Sequence, residues 1–274
     1  MLCDDGGYYI VKFQNNPQGT RILANEMLGT KLAALLGLPV AEPQIINVED
    51  RLILETPDLH FDMPEERVKC AGGLHFGSRY VCDPFLVRAF DFLPDQFIRD
   101  CENIESFCGM LVFDLWTCNR DCRQVIFHAA NLPSIFRRHS GSGYIATMVD
   151  QGYCFNVDIW SFPVCRVGSP YPRRVVYEEV SNFTSFGPFL DRVMALRSDE
   201  LMSIVESIPR EWYGGDDAGI RFVVKQLLHT RSSIVRLISN CIASAPRHFP
   251  NWRQNTRRTA KTSINQVRRP CSPA

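Results

Sequence analysis

The chain has 274 residues, equal numbers of acidic and basic side chains, 45% hydrophobic residues and 22% charged residues. This composition is typical of a globular protein with one large domain or two lobes, and it excludes a low-complexity chain. No apolar run reaches the length of about 18 residues that a membrane span needs. The N-terminus carries Asp4 and Asp5 where a signal peptide would be basic. We therefore expect a cytoplasmic protein that does not enter a membrane.

The first elements of the chain are a strand and a helix. Residues 8–13 alternate as a strand does, and Lys12 lies on it. Apolar residues then recur at helical spacing over residues 17–36, Glu26 lies on this helix, and Gly37 predicts its end. Residues 44–48 and 51–55 are β-rich and separated by a turn-length gap, which predicts an antiparallel hairpin. Residues 1–57 are thus expected to form a first, nucleotide-binding lobe.

A second lobe is expected over residues 58–245. It opens with a loop-rich connection to about residue 94 and a helix over residues 103–117, for which Asn103 is a plausible N-cap. This helix leads into Asn119-Arg120-Asp121, and two strands follow at residues 124–127 and 144–149. Asp150-Gln151-Gly152 comes directly after the second strand. Further helices are predicted at residues 186–196, 198–207 and 218–245, the last with a break near residue 230.

The end of the chain is basic. Seven Lys or Arg and no acid lie in residues 247–274, together with many Pro, Asn, Ser and Thr. Such a composition cannot bury enough apolar surface to fold, so residues 246–274 are expected to be a disordered tail. The tail is either a solvated segment without a function of its own or a site for nucleic acid or an acidic partner.

Four side chains occur in an order that suits phosphoryl transfer: a strand Lys12, a helix Glu26, Asp121 in a loop, and Asp150 after a strand. This chemistry requires a cation for the phosphates, metal ligands, and a carboxylate near the attacking hydroxyl. Each residue alone has an ordinary alternative, such as an edge-strand lysine, a solvated glutamate or an aspartate that caps a turn. Their joint order favours the chemistry.

These residues lie in segments that resemble the HipA-like kinase domain family. The similar segments are Tyr9-Ile10-Val11-Lys12-Phe13, Asn25-Glu26, Leu36-Gly37-Leu38-Pro39-Val40, Asp114-Leu115-Trp116, Asn119-Arg120-Asp121 and Val149-Asp150-Gln151-Gly152. The resemblance implies an α+β, bilobal protein-kinase-like fold with a small β-rich N-lobe and a larger, mainly helical C-lobe. It also implies transfer of the ATP γ-phosphoryl group, with Mg²⁺, to a hydroxyl of an unidentified protein or small molecule.

Carried onto this chain, the resemblance implies a role for each of the four residues. Lys12 would hold the nucleotide phosphates, Glu26 would orient Lys12, Asp121 would accept the hydroxyl proton, and Asp150 would bind the metal.

The chain departs from the family pattern at two places. The family commonly has a metal-binding Asn five residues after the catalytic Asp, where this chain has Ile126. Gln124 is either its substitute as a metal ligand or an ordinary polar strand residue. Only about seven residues precede the lysine strand, so we expect an incomplete N-lobe without a full Gly-rich loop. An inactive pseudokinase or a protein-binding module on the same fold is therefore the alternative function.

Overall fold

A computed structural model describes residues 1–130, 143–163 and 168–253. The first lobe is built on a three-stranded antiparallel sheet with the order β1-β5-β2. Its strands are β1 (Tyr9–Lys12), β2 (Pro43–Val48) and β5 (Gly73–Arg79). Helix α1 (Ile22–Leu35) packs against this sheet, and the lobe also contains α2 (Asp50–Glu55) and a small hairpin of β3 (His60–Asp62) and β4 (Arg67–Lys69). The predicted strand that carries Lys12 and the predicted helix that carries Glu26 are confirmed.

The predicted hairpin of residues 44–48 and 51–55 is wrong. The second segment is helix α2, whose first turn carries Asp50, as a helix N-terminus favours. Its Ile53 is buried in a small cluster with Phe13 and Val48. Strand β2 pairs instead with β5, from Pro43↔Ser78 to Val48↔Gly73. The sheet therefore includes a strand that lies beyond residue 57, where the sequence places the end of the first lobe.

Helix α1 is buried on nearly every side, because the sheet covers one face and the second lobe covers another. Its buried positions include polar Asn25 and Glu26 as well as apolar residues. The predicted stop is confirmed: Gly37 has a φ of 66°, and the N–H groups of Gly37 and Leu38 bond to the carbonyls of Ala34 and Ala33. This left-handed position suits a glycine.

The second lobe is mainly helical. Its one sheet in the described residues has the order β6-β7-β8, formed by β6 (Ala89–Phe90), β7 (Gln124–Ala129) and β8 (Tyr144–Val149). The helices are α3 (Asp95–Arg99), α4 (Ser106–Thr117), α5 (Gly187–Ala195), α6 (Ser198–Glu206), α7 (Asp217–Thr230) and α8 (Ile234–Ser244). A 3₁₀ turn at Arg231–Ser233 separates the last two, as the predicted break requires. The chain thus has the expected α+β, bilobal architecture, with a small sheet-based N-lobe and a larger, mainly helical C-lobe.

Residues 246–253 pack onto the second lobe. Phe249 is buried and stacks near Tyr177, while Trp252 meets the rings of Phe183 and Phe186. The prediction of a disordered tail from residue 246 therefore does not hold for these residues. The rest of the basic tail, with its suggested nucleic-acid site, lies outside the described residues. Throughout residues 1–130, 143–163 and 168–253, none of the helices has the length and apolar character of a membrane span.

Candidate active site

The cleft between the lobes brings together Lys12, Glu26 and Asp150. The Lys12 ammonium donates to one carboxylate oxygen of Glu26 and, at 2.8 Å, to Asp150 Oδ1. The other Glu26 oxygen, Oε2, accepts the backbone N–H of Gln151 at 2.8 Å. A single helix glutamate therefore contacts both the lysine strand and the loop that carries Asp150.

The ionisation of these groups follows from their burial and mutual charge. Burial would lower the pKa of Lys12, but Glu26 and Asp150 outweigh it, so its pKa lies above the ordinary value. Burial raises the pKa of Glu26, and the charge of Lys12 offsets only part of this effect. Burial would also raise the pKa of Asp150, but Lys12 and hydrogen bonds outweigh it and lower the pKa. At neutral pH Lys12 is thus a cation and Asp150 an anion.

A cavity of about 520 Å³ opens beside these charges. Lys12, Glu26 and Asp150 line it together with apolar Phe76, Ala41 and Met148. The volume lies within the range of small-molecule and cofactor sites, and an apolar wall with a few polar groups is their usual lining. The cavity therefore offers both apolar and charged surface to a ligand of that size.

Gln124 and Ile126 both line this cavity. They stand two residues apart on β7, and side chains at that spacing point to the same face of a strand. Gln124 pairs across the sheet with Val149, the residue before Asp150. Its amide nitrogen donates to Asp121 Oδ2 at 3.2 Å, which leaves the amide oxygen as an acceptor for another group.

Asp121 lies just outside the cavity lining and is exposed. Helix α4 ends at Cys118 in a left-handed conformation, with φ 56° and ψ 46°, and this turn directs the following residues toward the cleft. Asn119 Oδ1 accepts the N–H of Asp121 at 3.1 Å, and Asp121 Oδ1 accepts the N–H of Cys122 at 2.7 Å. The carboxylate is thus held by its own loop and by Gln124, at the open side of the site.

A buried guanidinium connects the loop of Asp121 with the loop of Asp150. Arg123 binds the Asp114 carboxylate through two of its nitrogens, and Asn119 donates to the same carboxylate at 2.9 Å. Arg123 Nη1 also donates to Val149 O at 2.9 Å and to the Gln151 side chain. Both acids therefore follow chain segments that are anchored to one buried ion pair.

Close backbone contact fixes α1 against the Asp150 loop. A Cβ on Gly29 would lie 2.7 Å from Cβ of Gln151, and one on Gly152 would lie 3.0 Å from Cγ2 of Ile22. Only glycine allows this approach without a shift of the helix or the loop.

The structure brings Lys12, Glu26, Asp150 and Gln124 to one cavity, and Asp121 to its edge. Sequence reasoning missed the part that Arg123 plays. The hydrogen bonds of Arg123 to Asp114 and Gln151 span 9 and 28 residues of the chain. An arginine near a loop aspartate is too common in sequences to indicate such contacts. A basic residue two positions after the loop acid Asp121 is the one hint that the sequence offers.

Comparison with known proteins gives one family and a set of solved structures. A family model described as HipA-like kinase matches residues 2–241. The Helicobacter pylori proinflammatory kinase CtkA aligns with a TM-score of 0.49 and 13% identity, over 88% of this chain and 93% of that one. The Golgi casein kinase aligns at 0.47 and 12%, over 89% and 70%. A structure of that kinase with Mn/ADP bound aligns at 0.44 and 12%, over 88% and 70%. No curated protein matches the sequence.

Proposed function

Because the chain belongs to the HipA-like kinase family, we propose that it transfers the γ-phosphoryl group of ATP to a hydroxyl, in a reaction that depends on Mg²⁺. One observation carries the proposal: the Lys12 ammonium contacts both Glu26 and Asp150, and all three residues line the interlobe cavity. Lys12 would be the cation for the phosphates, Glu26 the acid that orients it and Asp150 the metal-binding carboxylate, which are groups that phosphoryl transfer requires.

The donor set fits a metal that arrives with a nucleotide. Within the described residues, no group of three or more His, Cys, Asp or Glu could hold a metal ion by itself. Mg²⁺ commonly uses one or two carboxylates together with substrate phosphates. Asp150, directly after β8, would supply the carboxylate, and Gln124, on the neighbouring strand β7, an amide oxygen. This arrangement supports Mg²⁺ bound as its ATP complex.

Each residue then has one task in the mechanism. Lys12 holds the nucleotide phosphates, and Glu26, nearly fully buried, keeps the ammonium in place. Asp121 accepts the proton of the attacking hydroxyl at its exposed carboxylate, on the open side of the site where an acceptor can approach. Bound ATP and Mg²⁺ would supply the phosphoryl group and neutralise the charge that develops on its oxygens.

Replacing the proposed base tests this function. We expect the purified protein to turn over ATP with Mg²⁺, and Asp121→Asn to reduce the rate roughly 10²–10⁴-fold, because a general base contributes about that factor. The melting temperature should stay unchanged, since Asp121 is exposed. Asp199→Asn, at an exposed acid in the first turn of α6, is the matched control and should keep full activity. An Asp121→Asn variant as active as its control would refute the assignment.

A second function is supported by Ile126. This apolar side chain lines the cavity at the position where the family commonly has a metal-binding Asn. On this alternative the protein is a pseudokinase or a protein-binding module that uses the same fold. It requires that the wild-type protein turn over no ATP under conditions in which it is folded, so the turnover assay also separates the two functions.

A further inference from the structure

The loop that follows Asp150 has an unusual backbone. A positive φ is rare for residues other than glycine, and for a β-branched residue it is an outlier. Val157 has φ 60° and ψ −122°. Positive φ values occur at Asp150, Phe155, Asn156, Val157 and Trp160. A loop with this backbone requires contacts from the surrounding structure that hold it in place.

Asn25 of α1 supplies such contacts from a fully buried position. Its Nδ2 donates to Gly152 O at 2.9 Å and to Val157 O at 3.0 Å. Its Oδ1 accepts from the Trp160 indole at 2.8 Å. Both amide hydrogens and the amide oxygen are therefore used, and one side chain joins the start, the middle and the end of the loop.

Two residues near Asn25, one on α1 and one at its N-cap, contact the same loop. Glu26 accepts the backbone N–H of Gln151 at 2.8 Å. The Arg21 N–H donates to Asp158 Oδ1 at 3.1 Å, and the Arg21 guanidinium lies 4.1 Å from the centre of the Trp160 ring. Helix α1 therefore contacts the loop over residues 151–160, and Asn25 is in the middle of that contact.

We propose that Asn25 is the positioning residue that holds the Asp150 loop in its metal-binding shape. This proposal rests on the proposed function, because it takes Asp150 as the metal ligand. Glu26, which contacts Lys12, is the adjacent residue on the same helix. Through Asn25 and Glu26, helix α1 fixes the position of Asp150 relative to Lys12. Asn25 itself touches neither metal nor substrate.

Metal affinity measured without turnover tests the proposal. The dissociation constant of Mn²⁺ in the presence of ADP is measured by electron paramagnetic resonance for the wild type, Asn25→Leu, Asn25→Asp and Trp160→Phe. We expect Asn25→Leu and Asn25→Asp to weaken Mn²⁺ binding roughly 10–100-fold, as loss of a supporting contact to a metal ligand does. Trp160→Phe removes one bond and keeps both bonds to loop carbonyls, so its effect should be smaller.

Hydrogen exchange in the nucleotide-free proteins is the second measurement. We expect faster exchange confined to residues 150–160 in the Asn25 variants, and wild-type exchange in helices α5 and α6. If Asn25→Leu does not fold, Asn25→Asp and Trp160→Phe carry the test.

Three results would overturn the proposal or its premise. Unchanged exchange over residues 150–160 would show that Asn25 does not hold the loop. Faster exchange with wild-type Mn²⁺ affinity would show that it stabilises the fold without positioning the metal ligand. A wild-type protein that binds no Mn²⁺ with ADP would overturn the proposed function and the metal role of Asn25 together, while exchange would still show whether Asn25 holds the loop.

Discussion

Gln124 and Ile126 are the residues in which this chain differs most clearly from the expected metal site. Both point into the cavity from the same face of β7. Gln124 bonds to Asp121 and pairs across the sheet with Val149, the last residue of β8 before Asp150. An amide at either position would therefore be able to reach a metal bound at Asp150, whereas the Ile126 side chain offers no ligand.

Exchanging the amides tests this interpretation. The quantity to measure is the Mg²⁺ concentration that gives half of the ATP-dependent rise in melting temperature. We expect Gln124→Leu to raise this concentration roughly 10-fold and Ile126→Asn to lower it roughly 10-fold. Ile45→Asn, at an exposed position of strand β2 outside the cavity, is the control for an isoleucine-to-asparagine change on a strand and should behave as the wild type. Identical Mg²⁺ dependence in all variants would exclude a ligand role for Gln124.

The ion pair of Arg123 and Asp114 makes a separate prediction about stability. Both side chains are nearly fully buried. Arg123→Met leaves the Asp114 carboxylate buried without its cation, so we expect a loss of about 3–5 kcal/mol in the free energy of unfolding. The double variant Asp114→Leu, Arg123→Met removes both charges and should be more stable than Arg123→Met alone. Urea unfolding of Arg123→Met, Asp114→Leu and the double variant measures these losses. A double variant that loses the sum of the two single losses would argue against coupling.

The sequence contained enough to predict some of these residues and not others. Clear periodicity predicts the elements that carry or precede Lys12, Glu26 and Asp150. The order of these residues along the chain could therefore be compared with the order that a kinase uses for phosphoryl transfer. The contacts of Arg123 and Asn25 could not be predicted in this way. Asn25 reaches carbonyls 127 and 132 residues away, and a polar residue within a helix has no pattern that predicts such partners.

At the scale of elements, the contact between α1 and the Asp150 loop is the decisive one. Gly29 places the helix backbone against Gln151, and an added Cβ would lie 2.7 Å from its Cβ. Alanine in a helix interior usually gains about 1 kcal/mol over glycine. Here it must push the helix from the loop, and overpacking costs about 1–3 kcal/mol.

We therefore expect Gly29→Ala to show no gain in stability and to weaken the Mg²⁺-dependent effect of ATP on the melting temperature. Gly187→Ala is the control, because Gly187 is the first residue of helix α5 and an added Cβ there meets nothing within 4 Å. Thermal unfolding with and without Mg²⁺ and ATP measures both variants. A more stable Gly29→Ala protein with a full ATP response would show that this close approach is unimportant.

Helices and strands were predictable where the apolar periodicity ended at a recognisable stop signal, as α1 does near Gly37. The pairing of β2 with β5 was not, because it joins residues 43–48 to residues 73–78 across a helix and a hairpin. Asn103 illustrates the same limit. It was expected as a helix N-cap, but α4 begins at Ser106, and the Asn103 amide instead bonds to both backbone groups of Ala146 on β8. Its partner lies too far along the chain for a capping pattern to indicate it.

At the scale of the molecule, the lobes are joined behind the cleft as well as through their chain connection. The buried Trp212 donates its indole N–H at 2.9 Å to the carbonyl of Leu74, which lies on β5 of the first lobe. Gln14 donates to Glu211 O at 3.0 Å, and Arg21 pairs with Asp216 at 2.8 Å. These contacts fix α1 and its Glu26 relative to the second lobe before any nucleotide binds.

The central claim is that Lys12, Glu26 and Asp150 form a site for a nucleotide with its metal. The most direct measurement is the melting temperature of the wild type and of Asp150→Asn, each with ATP and with or without Mg²⁺. At about 100 times the dissociation constant, a ligand specific for the folded state stabilises it by about 2.7 kcal/mol. For a protein of this size that corresponds to a rise of roughly 5–10 °C. We expect this rise for the wild type with ATP and Mg²⁺ together and its loss in Asp150→Asn. No rise at millimolar ATP, or the same rise without Mg²⁺ or without the Asp150 carboxylate, would contradict the claim.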